Sequence, residues 1–221
     1  MRLNPRLYDF LVAPFEHTRF ALLRGELAAT PSGYVLEIGA GTGLNFRHFS
    51  HHALVVATDV DVDMLLHSRE RLHAAGARIL LVVADAEALP FRDGVFDHGV
   101  VGLALCTIPH PATAVRELRR AIRRGGQLHA LEHVRVQSRV IARLQDLITP
   151  AWKHLAGGCH LNRSSEETVV ANGFRVEALN LYAGGFIVAL SARRADDQHL
   201  SREPAGYRDK LHNRISHDHA W

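Results

Sequence analysis

The sequence predicts an α/β fold in which helices cover both faces of a doubly wound, Rossmann-like, mostly parallel sheet. Short apolar runs rich in Val, Ile and Leu alternate with segments of helical periodicity, and turn residues separate them. Strands that alternate with helices in this way form parallel sheets joined by right-handed crossovers. Ligands bind such sheets beyond the carboxyl ends of the strands, where the strand order reverses.

Five strands are predicted before residue 133. They cover residues 34–38, 54–58, 78–83, 95–101 and 127–132. Between them, periodicity predicts helices over 44–49, 61–75 and 112–123. Glycines end the last two helices, at Gly76 and at the pair Gly125 and Gly126.

Helical segments are expected before and after the five strands in the sequence. Residues 7–29 form one or two helices broken at Pro14, within an amino-terminal helical cap over 1–30. A helical lid region over 134–173 contains a helix over 138–155, interrupted by Pro150, and a second helix capped by Ser164 or Ser165. Strands over 174–181 and 186–193 complete a single domain over 1–194, and the polar, His-rich residues 195–221 form a tail.

Composition and charge exclude several classes of protein. Apolar residues make up 47% of the chain and charged residues 22%, so a full core can be buried. No apolar run approaches the ~20 residues of a membrane span, and the amino terminus has no apolar signal core, so we expect a cytoplasmic protein.

The net charge of +3 does not indicate nucleic acid as a partner. Arginine supplies 24 of the 26 basic residues, and these are interleaved with acids rather than with aromatic residues. The densest run, over 116–124, fits the solvated face of an amphipathic helix. A peripheral membrane contact stays open, and so does the choice between a monomer and a homodimer.

A glycine-rich loop after the first strand carries the functional argument. Gly39, Gly41 and Gly43 let the backbone approach a ligand closely and adopt positive φ, and a helix start beyond them would favour an anionic group. A nicotinamide dinucleotide site would have its third glycine at position 44, where this chain has Leu44. No Gly-Lys-Ser/Thr follows, so the loop is not a phosphate-binding P-loop.

Two carboxylates at strand ends narrow the choice of ligand. Glu37, two residues before Gly39, disfavours a pyrophosphate and suits a ligand with a free ammonium group. Asp59 ends the next strand, where an acid can accept hydrogen bonds from both hydroxyls of a ribose. Its alternative role is to cap the following helix, as we expect Asp61 and Asp63 to do.

A third carboxylate follows the third predicted strand. Asp85 is placed to accept a hydrogen bond from the exocyclic amine of adenine, and Ala86 to offer its backbone N–H to the ring. A solvated loop aspartate is the alternative.

Five segments in this order resemble the class I S-adenosylmethionine (SAM)-dependent methyltransferases. Residues 35–45 look like motif I of that family, 58–65 like the segment after it and 84–91 like its adenine segment; 96–101 with 105–111 are similar to motif IV, and 118–127 to its turn into strand five, with Arg124 where the family usually has proline. The resemblance implies strand order 3-2-1-4-5-7-6 with an antiparallel last strand. It also implies SAM as the methyl donor and S-adenosylhomocysteine as the product.

The resemblance assigns SAM contacts to the strand ends and the loops that follow them. These residues are Glu37, Gly39, Ala40, Gly41, Gly43, Asn45, Asp59, Val60, Met64, Asp85, Ala86, Gly102 and Leu103.

The flanking segments resemble a narrower subgroup. Residues 8–10 with 13–16, 131–134 and 157–163 look like the methyltransferase-like thiol S-methyltransferases, whose bacterial relatives are often labelled phospholipid-amine N-methyltransferases. This resemblance implies a small-molecule acceptor, most simply a thiol or an amine, while a lipid amine or a hydroxyl stays open. A SAM-binding regulatory protein without turnover is the alternative, and a nicotinamide oxidoreductase is disfavoured by Leu44 and Glu37.

The chemistry requires the acceptor, the methyl group and the donor sulfur to lie in line. A thiol or hydroxyl acceptor must also lose its proton, and His133 at the end of the fifth strand is the predicted general base. A purely structural strand-end histidine is the alternative. We expect the acceptor over the end of the fourth strand and near the end of the fifth, where Glu132 and His133 lie. The predicted acceptor contacts are Tyr8, Cys106, Thr107, His110, Cys159 and His160.

No metal site is predicted from the sequence. The two cysteines have no partner at a standard ligand spacing, and the sixteen histidines are scattered along the chain.

Overall fold

The computed structural model describes residues 4–16, 19–155 and 157–195, which form a seven-stranded mixed sheet flanked by helices. The strands are β1 (Gly33–Ile38), β2 (Ala53–Asp59), β3 (Arg78–Val83), β4 (Phe96–Gly102), β5 (Ile122–His133), β6 (Phe174–Tyr182) and β7 (Ile187–Arg194). The helices are α1 (Pro5–Glu16), α2 (Arg19–Ala29), α3 (Val62–Ser68), α4 (Pro111–Ala121), α5 (Arg139–Leu155) and α6 (Ser165–Ala171). Short 3₁₀ helices cover Phe46–His48, Arg69–Ala74 and Ala183–Gly185.

The strand order is β3-β2-β1-β4-β5-β7-β6, which confirms the predicted fold. The first five strands pair in parallel, and β7 is antiparallel to both β5 and β6. Because the order reverses between β1 and β4, the loops after these strands diverge to opposite faces. The carboxyl ends of β1 and β4 therefore border the natural ligand cleft of the fold.

Two apolar clusters fill the space between the sheet and its helices. Successive side chains of β5 point to opposite faces of the sheet, so this strand contributes to both clusters. Leu128 and Ala130 belong to one cluster and Leu131 to the other. The first cluster includes buried residues of α4 and α6, and the second includes buried residues of α2 and α3. Burying each large aliphatic side chain contributes about 1.5–3 kcal/mol, so these clusters stabilise the packing of the helices on the sheet under the cleft.

The segment after the glycine loop is not the helix predicted over 44–49. Only Phe46–His48 form a 3₁₀ helix, closed by the bonds from Phe46 N–H to the Gly43 carbonyl and from His48 N–H to the Asn45 carbonyl. This tighter winding buries the Phe46 ring and directs the Asn45 side chain inward. The α-helix start that the sequence analysis expected for an anionic group is therefore absent from this position.

Other boundaries differ because local hydrogen bonds override periodicity. The helix predicted over 61–75 is α-helical only to Ser68, whose hydroxyl donates to the Leu65 carbonyl, and continues as 3₁₀ helix. The helix predicted over 112–123 ends at Ala121, and β5 starts at Ile122, which pairs with Phe96. Gly125 turns within this strand at φ +70° instead of ending the helix.

The predicted break at Pro14 lies a few residues later, since α1 continues past Pro14 to Glu16 and a second helix, α2, starts at Arg19. The predicted break at Pro150 is wrong, because α5 continues past it. Pro150 lies inside α5, and the neighbouring Thr149 hydroxyl donates a 2.6 Å bond to the Gln145 carbonyl. The tail predicted over 195–221 lies outside the described residues, except for Ala195.

No helix among the described residues is both long and apolar enough to cross a membrane. On α5, several apolar side chains, including Val140, Leu144 and Leu147, are exposed. The prediction of a peripheral membrane contact stays a prediction.

Candidate active site

The glycine loop bends sharply at the carboxyl end of β1. Gly39, Gly41 and Gly43 all have positive φ, as predicted. A Cβ at Gly39 would lie 2.3 Å from the Cβ of Ala104, so glycine lets the loop after β4 come close. A Cβ at Gly41 would meet no atom within 4 Å. Within the chain, only the φ of +55° requires glycine at position 41, because no neighbouring atom would clash with a side chain there. The space beside Gly41 is open to a ligand.

Glu37 is a fully buried carboxylate at the end of β1, under this loop. One of its oxygens accepts a 2.7 Å hydrogen bond from Asn45 Nδ2, and Asn45 Oδ1 accepts a bond from Arg24. The other oxygen, Oε2, is buried with no hydrogen-bond partner. Burial, only partly offset by the Asn45 bond, raises the pKa of Glu37 to about 7. A cation that reached Oε2 would stabilise the ionised form.

Asp59, at the end of β2, holds the glycine loop in place. Its Oδ2 accepts the Gly41 N–H at 2.8 Å, and its Oδ1 accepts the Asp61 N–H at 2.9 Å. Burial raises the pKa of this carboxyl. Each oxygen keeps a further lone pair, so the predicted ribose contact is compatible with these bonds. Asp61 caps α3 by accepting the Asp63 N–H, as predicted.

Helix α1 is tied to the glycine loop by Asp9, to which the sequence analysis assigned no role. The Asp9 carboxylate accepts hydrogen bonds from Thr42 Oγ1 at 2.7 Å and from Arg71 at 2.8 Å, and it pairs with His67 at 2.9 Å. Burial works against ionisation, but these bonds outweigh it and hold the pKa of Asp9 below its usual value. Residue spacing could not reveal this contact, since its partners lie 33 to 62 positions away.

Tyr8, next to Asp9, is half-buried on the same helix. Burial raises the pKa of its hydroxyl, and the nearby Arg24 and Cys106 act on it electrostatically. Helix α1 therefore reaches from the glycine loop toward the loop after β4.

The remaining predicted SAM contacts lie along the same edge of the sheet. A Cβ at Gly102 would lie 2.9 Å from Asn45 Nδ2, which places the end of β4 against the Glu37 and Asn45 pair. Leu103 has φ +57°, and Ala40 donates its N–H to the Thr58 carbonyl at 2.9 Å. Val60 is exposed beyond β2, and Met64 is half-buried on α3.

The loop after β3 is held by its own turn and by the loop before α4. Asp85 is exposed and accepts the Glu87 N–H at 2.8 Å, while Ala86 packs against the core. Glu87 in turn accepts the His110 N–H at 2.9 Å. The exposed Asp85 carboxylate remains available to a ligand, so its adenine contact stays a prediction.

On the acceptor side, the structure brings together three of the predicted residues. The Sγ atoms of Cys106 and Cys159 lie 3.6 Å apart, and Cys159 Sγ lies 3.6 Å from Nδ1 of His133. Both cysteines are buried and not joined by a disulfide. The hydrogen bond between the thiols, together with His133, lowers the pKa of Cys159, while the same bond and burial raise the pKa of Cys106.

The other predicted acceptor contacts are arranged differently. His160 Nδ1 lies 3.2 Å from the Cys106 carbonyl, and its backbone N–H donates to that carbonyl at 2.8 Å. Thr107 turns its hydroxyl back to the Ala104 carbonyl at 2.8 Å. His110 is exposed at the start of α4, and its side chain makes no capping bond there.

Glu132 and Arg163 fix the loop that carries Cys106. The fully buried Glu132 carboxylate accepts the backbone N–H groups of Ala104, Leu105 and Cys106. Arg163 donates to the Leu105 and Ile108 carbonyls at 2.6 Å. We expected Glu132 beside the acceptor, but its oxygens are occupied by these backbone bonds, so its role is structural.

Comparison with known proteins agrees with this arrangement. Residues 36–130 match the family model described as a methyltransferase domain. The segment begins in β1, includes the glycine loop and the ends of β2 and β4, and stops within β5. Residues 36–130 therefore resemble a methyltransferase domain.

A curated relative is similar to a longer part of the chain. The ubiquinone/menaquinone biosynthesis C-methyltransferase UbiE of Pseudomonas fluorescens is 32% identical over 165 residues, which cover 72% of this chain and 63% of that protein. The chain thus spans less than two thirds of the length of that relative.

Solved structures share the fold. An S-adenosylmethionine-dependent methyltransferase from Mesorhizobium loti superposes with a TM-score of 0.59 at 16% identity, over 80% of this chain and 97% of the other. The [4+2]-cyclase SpnF superposes at 0.62 with 17% identity, over 86% of this chain and 80% of the other. At these identities the likeness is one of fold.

The Mesorhizobium loti protein is named for S-adenosylmethionine. The residues at this edge of the sheet fit that molecule. The unpartnered Oε2 of Glu37 suits the ammonium of its methionine end. The open space beside Gly41 suits close passage of a ligand, and the Asp59 carboxylate has lone pairs to spare for ribose hydroxyls.

Proposed function

We propose that this protein transfers a methyl group from SAM to a small-molecule acceptor, a thiol or an amine. The observation that carries the proposal is the buried Glu37 carboxylate at the end of β1, with one oxygen left without a partner under a glycine loop. A buried unpaired carboxylate oxygen costs free energy, which a cationic ligand would recover. A dinucleotide, with its anionic pyrophosphate, would be repelled from this position.

When bound, SAM supplies an electrophilic methyl group on a sulfonium. The chain then has to position it: Glu37 would hold the ammonium, Asp59 the ribose, and Asp85 with the Ala86 amide the adenine. The Asp9 contacts to Thr42, Arg71 and His67 hold helix α1 over the glycine loop, where it would limit the access of water.

The acceptor would bind between the ends of β4 and β5. Cys106 and Cys159 supply a largely apolar, buried wall there, and Tyr8 reaches toward it from α1. His133 is half-buried at the end of β5 and supplies a group that could accept a proton from a thiol. A neutral amine acceptor would need positioning alone.

A carbon acceptor is a second candidate, because the Pseudomonas relative is named a C-methyltransferase of quinone biosynthesis. A SAM-binding regulatory protein without turnover is a third possibility, and any measurable methyl transfer would exclude it.

A screen with methyl-labelled SAM tests the proposal. The purified protein is incubated with a short-chain thiol, an aminolipid or a phenolic quinol precursor, and label in the product is counted. We expect transfer to the thiol or the amine, and loss of thiol turnover by roughly 10²–10⁴-fold in His133→Ala if His133 is the base. The matched control is His73→Ala, an exposed histidine in the 3₁₀ helix Arg69–Ala74.

Label found only in the quinol would replace the proposed acceptor with a carbon acceptor. No label in any product, with SAM bound, would favour the regulatory protein. Full thiol turnover in His133→Ala would remove the base role from His133.

A further inference from the structure

Cys106, His133 and Cys159 form a group whose ligand atoms all lie within 4.8 Å of one another. It is the one group of three such side chains found in the described residues that could hold a metal ion. Its members come from three separate segments: the loop after β4, the last residue of β5 and the loop after α5. No spacing along the sequence marks them as ligands, which is why the sequence analysis predicted no metal.

Two of the three distances in this group match the edges of a tetrahedral zinc site, and the third, between Cys106 Sγ and the His133 ring nitrogen, is within 4.8 Å. With Zn–S bonds of about 2.3 Å and Zn–N bonds of about 2.0–2.1 Å at tetrahedral angles, two sulfurs lie about 3.8 Å apart and a sulfur and a nitrogen about 3.5 Å apart. The observed separations are 3.6 Å between the two Sγ atoms and 3.6 Å between Cys159 Sγ and His133 Nδ1. An ion could therefore be bound with a movement of about 1 Å or less at the Cys106 and His133 edge.

The surrounding bonds hold the ligands in place without a metal. Glu132 fixes the Cys106 backbone through three N–H groups, and His133 follows Glu132 directly in β5. The His160 N–H bond to the Cys106 carbonyl and the Arg163 bonds to the same loop attach the Cys159 segment to it. Such pre-organisation reduces the entropy lost on binding.

We infer that Cys106, Cys159 and His133 bind a Zn²⁺ ion and leave its fourth position open to the acceptor. Two cysteines and one histidine with an open position are a ligand set of catalytic zinc. Glu132 is not part of this group, and its oxygens are directed to the backbone of the loop, where they accept three N–H bonds. The acceptor role of the ion rests on the proposed function, whereas metal binding does not.

The open position makes a thiol the preferred acceptor class. With His133 as a ligand, the ion would take over the role of the base considered above. A thiol that binds the ion would release its proton to water and stay bound as a thiolate, since thiolates are favoured zinc ligands. Its sulfur then forms a bond to the methyl carbon, the bond from that carbon to the sulfonium breaks, and the electron pair remains on the donor sulfur. The products are a methyl thioether and S-adenosylhomocysteine. The ion would lie next to the donor, since Ala104, two residues before Cys106, touches Gly39 of the glycine loop.

Cobalt substitution tests the site in the full-length, reduced protein. Co²⁺ is added anaerobically, and the thiolate-to-cobalt charge-transfer band and the visible bands of tetrahedral cobalt are recorded. Cys106 and Cys159 are the only cysteines of the chain, so a thiolate band has to arise from them, whereas metal held by the many histidines gives none. We expect saturation at one equivalent of Co²⁺ and displacement by Zn²⁺.

Variants assign the ligands. Cys106→Ser and Cys159→Ser should each weaken the charge-transfer band to half or less, and His133→Ala should keep it but change the visible bands. His73→Ala should match the wild type, because His73 is exposed and is not part of the group. A folded wild-type protein without a thiolate band overturns the inference, and so does an unchanged band in either serine variant.

Binding of S-adenosylhomocysteine, measured on the same samples, separates this inference from the proposed function. If the ligand binds and cobalt gives no thiolate band, the zinc site is wrong and the methyltransferase proposal stands. A thiolate band without binding of S-adenosylhomocysteine would support the metal site and contradict the methyltransferase proposal. Because the wild-type titration decides the question alone, misfolding of a serine variant leaves the test intact.

Discussion

Asn45 donates a 2.7 Å hydrogen bond to one oxygen of the buried Glu37 carboxylate, and the second oxygen has no partner. Burial raises the pKa of Glu37 to about 7, so near neutral pH the group is poised between its charged and neutral forms. A ligand ammonium beside Oε2 favours the charged form. Ligand binding and proton release are therefore expected to be coupled.

The first prediction follows from that coupling. Affinity for S-adenosylhomocysteine should fall as the pH drops below about 7, by up to about tenfold for each unit, because binding must then expel the proton of Glu37. Calorimetry in buffers of different ionisation enthalpy measures both the affinity and the proton released. In Glu37→Gln the affinity should be low and nearly independent of pH between 6 and 8. A wild-type affinity equal at pH 6 and pH 8 would contradict the coupling.

The same residue should lower the stability of the ligand-free protein. The pKa of Glu37 in the folded state lies above its ordinary value of 4.5, so its contribution to stability is fully present below about pH 4.5 and is lost as the pH rises through about 7. Glu37→Gln should thus show a higher Tm than the wild type at pH 8 and a smaller difference at pH 5. Thermal unfolding at both pH values measures this, and a lower Tm of the variant at pH 8 would refute it.

Two glycines allow a matched test of the ligand cleft. Gly41 and Gly125 both have positive φ, and a Cβ at either would meet no atom within 4 Å. Alanine should therefore cost each variant a similar amount of stability, about 1–2 kcal/mol. Only Gly41→Ala should also lose affinity for S-adenosylhomocysteine, by tenfold or more, because its methyl group projects into the cleft. Equal affinities of the two variants would place the ligand elsewhere.

Helix α1 is expected to depend on Asp9. Asp9→Asn removes the charge that pairs with Arg71 and His67. The Asp9 side chain is only 20% exposed. We expect faster hydrogen exchange of the α1 amides and a higher KM for the acceptor, with a local loss of about 1–2 kcal/mol. Asp93→Asn is the control. Asp93 pairs with Arg120, but its side chain is 79% exposed, so this ion pair should contribute little to stability. Identical exchange in the two variants would show that Asp9 does not hold the helix.

Glu132 should be a large contributor to stability. Its carboxylate accepts hydrogen bonds from three backbone N–H groups. A glutamine amide has only one acceptor oxygen, and its NH₂ group would face a backbone N–H donor. Glu132→Gln should cost about 2–4 kcal/mol and lower the Tm by about 5–15 °C. Glu166→Gln is the control: this carboxyl also has a pKa raised to about 7 by burial, but its Oε2 has no partner to lose. A Glu132 variant as stable as the Glu166 variant would contradict this role.

Much of the sheet could be predicted from the sequence, because the period of apolar residues separates strands from helices. The strand order came from the resemblance of the ordered motifs and agrees with the structure. Periodicity failed where side chains bond to nearby backbone or to each other. Asn45 turns inward to Glu37, so a predicted helix is a short 3₁₀ segment, and the Ser68 hydroxyl ends α3 early.

The candidate site was predicted less completely, for the same physical reason. Glycine, glutamate and aspartate at strand ends carry a local signal, so Glu37 and Asp59 could be selected from spacing alone. The contacts of Asp9, and the meeting of Cys106 with Cys159, depend on the tertiary fold and leave no local pattern. Glu132 was expected at the acceptor because it ends a strand, yet the carboxylate turns to the backbone of the neighbouring loop.

The most direct test of the account is calorimetric titration of the wild-type protein at pH 8 with S-adenosylhomocysteine and, separately, with a nicotinamide dinucleotide. The account predicts one-to-one binding of S-adenosylhomocysteine that is strongly weakened in Glu37→Gln, and no binding of the dinucleotide. No heat of binding with S-adenosylhomocysteine, or tighter binding of the dinucleotide, would contradict it.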